Sequence, residues 1–220
     1  MCNLFKHSSN YGATWTVASG FLANGTYVRL GMSGSGQYQI ANIDTNGGAL
    51  YVSSNYGVTW SSYTTIGPSA LGRNVCLSYN GQYQFVATAA TGNILISSNY
   101  GSSFANSSAI STGWQGICCS SSGQYVSACA SGGYIYYSNN YGYTWTQSTS
   151  LALVWNSMCC SFSGQYQIAC VFGGFIYYSN NYGVSWTQSY SIYTNWYAIS
   201  CTSSGQYVTA TAYGGYIYYS

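Results

Sequence analysis

One eight-residue word, S-x-N-x-G-x-[ST]-[WF], occurs five times in the chain and limits the fold more than any other feature. It starts at Ser8 (SSNYGATW), Ser53 (SSNYGVTW), Ser97 (SSNYGSSF), Ser138 (SNNYGYTW) and Ser179 (SNNYGVSW), in steps of 41–45 residues. A second word, GQY, alternates with it strictly, at Gly36, Gly81, Gly123, Gly164 and Gly205. A period of this length marks a solenoid, a propeller or a linear array, in which each unit buries its apolar surface against the next.

Each unit reads as four short strands. Between 155 and 189 these are WNSMCCS, QYQIACV, FIYYS and VSWTQS, separated by SG, Gly173-Gly174 and NNYG turns. The alternation has period 2, as strands require, and four strands in about 42 residues match a propeller blade. The expectation is an all-β chain, 1–220, forming a single five-bladed β-propeller of four-stranded antiparallel blades. The third strands share one apolar slot, held by Phe5, Leu50, Ile94, Ile135, Ile176 and Ile217. The first strands pair Leu30/Met32, Val75/Leu77, Ile117/Cys119, Met158/Cys160 and Ile199/Cys201, predicted to pack between blades. A small slot in the second strand (Ala41, Val86, Ala128, Ala169, Ala210) allows close sheet packing.

The eight-residue word resembles the Asp-box of the sialidase-type (BNR) repeat, S-x-D-x-G-x-T-W, with Asn10, Asn55, Asn99, Asn140 and Asn181 where that family has Asp. The resemblance spans the whole chain and implies a propeller with the box in the turn between the third and fourth strands. Asn can cap that turn through its side-chain oxygen. Gly12, Gly57, Gly101, Gly142 and Gly183 are predicted at positive φ. Trp15, Trp60, Phe104, Trp145 and Trp186 are expected to plug the gap between adjacent sheets. The box is structural in that family, so its recurrence here implies scaffold.

The strand count leaves a remainder. The chain opens on a third strand (NLFKHS) and a fourth (TWTVAS), and it ends on a third (YIYYS). The expected solution is a ring in which the N-terminal TWT strand completes the last blade. One third strand, carrying Phe5 or Ile217, is then redundant. It frays, stacks on an outer edge or is donated to a neighbouring molecule.

Composition excludes several functions. The cations are Lys6, Arg29 and Arg73, Asp44 is the sole carboxylate side chain, and His7 the sole histidine. Three scattered cations make no phosphate-binding surface, so nucleic acid is not an expected partner. Paired carboxylates for glycoside hydrolysis are missing, and a triad would have to be built from His7 and Asp44 alone. The arginine cluster, acidic residue and tyrosine–glutamate pair that the resemblance implies for a sialidase site cannot be assembled. The expectation is no enzyme, no cofactor and no metal. No apolar run reaches transmembrane length, and MCNLFKHSSN lacks the apolar run of a signal peptide.

Three functions remain. A net charge of +2 on 220 residues, with a Tyr/Ser/Asn surface, favours self-association. This points to a structural subunit of an extracellular fibre or virion surface layer. The alternative is a lectin-like module. Tyr27, Trp114, Trp155 and Trp196 occupy one slot before the first strands, with Arg73 beside the equivalent Gly72 and Asp44 on the same face, and sugars stack on aromatics. A third option is a catalytically dead relative of glycosidases. Asn24-Gly-Thr and Asn106-Ser-Ser are sequons. The nine cysteines follow the repeat and read as small buried packing, with Cys118/Cys129 and Cys159/Cys170 the pairs that strand pairing would bring nearest.

Overall fold

The computed structural model describes residues 6–20, 28–43, 49–63, 72–88 and 92–220, and every regular element in them is a strand. A box hairpin comes first, β1 (Lys6–His7) and β2 (Thr16–Val17). Four four-stranded units follow. They are β3 (Val28–Met32) to β6 (Ser61–Tyr63), through β4 (Gln39–Ile43) and β5 (Ala49–Ser53); and β7 (Gly72–Leu77) to β10 (Ala105–Asn106), through β8 (Gln84–Thr88) and β9 (Ile94–Ser97). Next are β11 (Trp114–Cys119) to β14 (Thr146–Gln147), through β12 (Val126–Gly133) and β13 (Ile135–Ser138). The fourth is β15 (Leu153–Cys160) to β18 (Thr187–Gln188), through β16 (Gln167–Gly174) and β17 (Ile176–Ser179). A three-stranded unit closes the series, β19 (Thr194–Cys201), β20 (Val208–Ala212) and β21 (Ile217–Tyr219).

All strand pairing is antiparallel between consecutive strands of a unit. The far ends of β12 and β16 also reach over to β15 and β19, which links the last three units into one sheet of eleven strands. Backbone bonds near the ends of the inner strands tie unit to unit. The amide of Gly34 donates to Tyr79, that of Tyr79 to Ser121, Ser121 to Phe162 and Phe162 to Ser203, at 2.7–2.8 Å. Met32, Leu77, Cys119, Cys160 and Cys201, one from each inner strand, line a single cavity of about 250 Å³. The units therefore stand around a common axis.

The core lies in layers between units. Phe85, Ile94 and Ile96 of one blade meet Trp114, Ile117 and Val126 of the next. Cys118 and Ile135 meet Trp155 and Met158, and Ile168 and Cys170 meet Trp196 and Ile199. The small second-strand slot is buried throughout, as expected.

Two expectations need correction. The N-terminal strand does not complete the last blade: β2 pairs only with β1, and β21 only with β20. The hairpin instead docks on the first blade, where the amide of Ser19 donates to the Val58 carbonyl, that of Trp60 to Ser19, and Ala18 packs with Tyr51 and Trp60. Moreover, Leu30 and Met32 are 62 % and 64 % exposed, not packed between blades. Gly31 faces the following blade, which turns its neighbours on the strand the other way, and no described unit covers that side. Phe5 lies outside the described residues, and Ile217 is 73 % exposed at the outer edge.

Candidate functional site

Each box is a self-contained hydrogen-bonded turn. In the first complete blade, Asn55 Oδ1 accepts from the Thr59 amide (2.9 Å) and the Ser53 hydroxyl (3.0 Å), while Nδ2 donates to Thr59 Oγ1 (2.8 Å). Ser53 Oγ accepts in turn from the Gly57 amide at 3.0 Å. The same bonds recur around Asn10, Asn99, Asn140 and Asn181. The amide supplies a donor and an acceptor together, so the turn closes without a carboxylate charge.

The glycines at the fifth box position have positive φ, as expected, but so do the tyrosines before them. Tyr11, Tyr56, Tyr100, Tyr141 and Tyr182 have φ of 57–61°. Two left-handed residues in succession form the mirror-image turn that matches strand twist. Tyrosine is a costly choice there, and its neighbours explain it. Tyr100 packs on Tyr38 with ring centroids 4.7 Å apart, Tyr141 on Tyr83 at 4.4 Å, and Tyr182 on Tyr125 at 4.2 Å. Every partner is the GQY tyrosine of the preceding blade. Burial, and then the neighbouring Tyr141 phenol, raise the Tyr83 pKa above its ordinary value.

The box aromatics plug the sheets in four cases. Trp60 is buried against Tyr51, Phe104 packs edge-on to Tyr63, Trp145 packs on Trp114 and Trp186 on Trp155. Trp15 is 60 % exposed.

The tryptophans expected at the propeller mouth are core. Trp114, Trp155 and Trp196 are 0 %, 0 % and 1 % exposed. Their indole N–H groups donate to the carbonyls of Gly92, Leu151 and Ile192. Their faces are covered by Tyr136, Tyr177 and Tyr218 at the edge. A sugar ring has no aromatic surface to stack on here. Tyr27 and Asp44 lie outside the described residues, and the backbone of Arg73 occupies the β7 bulge between Gly72 and Asn74.

The ends of the series present what the repeat elsewhere buries. Between the β16–β17 and β20–β21 sheets lies a cavity of about 600 Å³ lined by Tyr166, Ile168, Ile176, Trp196, Val208 and Tyr218. It occupies the place that Trp186 and Trp145 fill one and two blades earlier. Tyr166, the GQY tyrosine here, is exposed, and so is the box tyrosine Tyr11. Leu30, Met32 and Tyr56 are exposed on the first blade, and Ser200 and Tyr207 on the last. The repeat would set the first group against the second.

The cysteines are free thiols among the described residues, and their neighbours are not those expected from sequence. Cys118 lies opposite Ser127, and Cys129 opposite Gly116, so the register separates Cys118 from Cys129; Cys159 and Cys170 are separated likewise. The nearest thiols belong to the next blade.

No protein-family model matches the chain, and no curated protein matches it. Solved structures do. The GH74 enzyme of Niastella koreensis superposes with a TM-score of 0.65 at 16 % identity, covering 87 % of this chain and 29 % of its own. YCF48 from Cyanidioschyzon merolae gives a TM-score of 0.66 at 15 % identity, covering 97 % of this chain and 75 % of its own. This chain thus spans less than a third of the GH74 chain. The likeness defines the class: an all-β chain of propeller fold, built from antiparallel blades.

Proposed function

We propose that the chain is a non-catalytic structural propeller whose five blades, with Asn in place of the Asp of a sialidase-type box, associate head to tail with further copies. The fifth blade is completed by the N-terminal box hairpin of a neighbour. What carries this reading is the match between the two ends. Tyr166 and the cavity beside Trp196 form the seat that other boxes fill, and Tyr11 and Trp15 are a box with both aromatics exposed. Strand β21 competes with β1 for β2, pairing Tyr218 with Val17 and Tyr219 with Thr16 by analogy with β17–β18. An interface that repeats one surface against a different one is open-ended unless the rotation closes.

The nearly uncharged Tyr/Ser/Asn exterior supports the same reading, since little repulsion opposes contact between copies. An extracellular fibre or virion surface layer is the setting such a subunit suits. One histidine and one carboxylate in 220 residues favour a non-catalytic role.

The test is light scattering behind size exclusion, with electron microscopy of the same fractions, over a concentration series. Mass should rise with concentration and regular rods or sheets should appear. Trp15→Ala and Tyr166→Ala should each weaken association roughly tenfold or more while leaving monomer melting nearly unchanged, because both rings are exposed in the single chain. Monomers at every concentration, or association indifferent to both variants, would overturn the reading.

A further inference from the structure

Six thiols form three pairs across the interfaces between blades. The relation is set by inner-strand geometry: the first slot of one blade faces the second slot of the next. Where the first blade has Gly31 in that slot, a Cβ would lie 2.5 Å from Leu77 Cδ1 of the second. The three following interfaces carry cysteine at both places. Cys76 and Cys119 pack into one layer, Cys118 and Cys160 into the next, and Cys159 and Cys201 into the last. Cys160 Sγ also donates to the Cys119 carbonyl at 3.1 Å, which fixes how closely these strands approach. Each pair is one repeat apart in sequence.

We propose that Cys76/Cys119, Cys118/Cys160 and Cys159/Cys201 are oxidation sites that close as disulfides and staple four consecutive blades, with a small-molecule or protein disulfide as oxidant. This goes beyond the self-association reading and does not depend on it. One member of each pair, Cys119, Cys160 or Cys201, lines the axial cavity and gives the oxidant access. The other two thiols among the described residues, Cys129 and Cys170, are fully buried and do not line it.

Thiol electrostatics favour the last pair as the first to react. Contact with Cys159 lowers the Cys201 pKa below its ordinary value, against the opposing effect of burial. Contact with Cys201, then burial, holds the Cys159 thiol protonated. Cys201 is thus the attacking thiolate. It attacks one sulfur of the oxidant, forming a mixed disulfide and releasing one oxidant thiolate. Cys159 then loses its proton and attacks Cys201 Sγ, which releases the second oxidant thiol. Two protein thiols lose two protons and two electrons, and the oxidant's S–S bond becomes two thiols. Burial pushes Cys129 and Cys170 up to about 12, which keeps both as unreactive thiols.

The test is oxidation of the full chain with glutathione disulfide, followed by acid quench, denaturation, alkylation and non-reducing chymotryptic mapping. Fragment spectra separate adjacent cysteines. Bridges should join the three named pairs, each with a loss of about 2 Da, while Cys129 and Cys170 alkylate. The melting temperature should rise by about 5–15 °C. Cys201→Ser should remove only the bridge to Cys159 and leave the other two. Complete alkylation, glutathione adducts without bridges, or bridges between other partners or between chains would overturn the proposal. So would Cys159 finding a new partner in the variant.

Discussion

At the scale of single residues, the box asparagine and tyrosine do different work. Asn181 holds the turn through two acceptor bonds and one donor bond. Asn181→Ala should cost about 1–2 kcal/mol in urea denaturation, and Asn181→Asp clearly less, because a carboxylate keeps both acceptor bonds and can accept from the Ser185 hydroxyl. Tyr182 stands in a left-handed conformation costing about 1–2 kcal/mol. Its contact with Tyr125 returns about 0.5–1.5 kcal/mol. The asparagines and glycines were legible in sequence from the box pattern. The tyrosine backbone was not, because positive φ was expected of the glycines alone. The reason lies one blade away, in a ring that turn chemistry alone does not reveal.

At the scale of elements, the repeat made strand order and the buried second-strand slot readable, because period-2 alternation reports which face is covered. It misplaced residues whose surroundings are set by a neighbouring blade. Trp114, Trp155 and Trp196 share a slot that reads equally well as a rim or as a core end; only Tyr136, Tyr177 and Tyr218 packing edge-on decide for core. The cysteines were matched within a blade, whereas the register turns them toward the next. Four of the five GQY glycines pack tightly against the preceding blade. A Cβ at Gly164 would lie 2.9 Å from Ser120 Cβ and 3.0 Å from Tyr125 Cβ, whereas at Gly36 the nearest atom is Met32 Sδ at 3.6 Å. Both have φ of +79°. Gly164→Ala should therefore lower stability by about 2 kcal/mol or more and Gly36→Ala by about 1 kcal/mol, measured by chemical denaturation.

At the scale of the whole molecule, near-absence of charge sets the response to solvent. With charged residues only 2 % of the chain, screening has little to act on. Melting temperature and self-association should both change little between ~0.05 and ~0.5 M NaCl, whereas an interface built on ion pairs would weaken. Scattering and thermal scans at the two salt concentrations check this.

The layered core also determines how the molecule would carry a load. Among the described residues no single nucleus joins all blades; each apolar layer belongs to two neighbours and can part while the others stay intact. A chain stretched from its ends would not snap open as one body. It would give way in steps, one layer at a time, and the layer beside Trp196 already holds a cavity of about 600 Å³. Strung copy to copy, such units would lengthen under tension and recoil, a toughness that comes from breaking one small seam at a time.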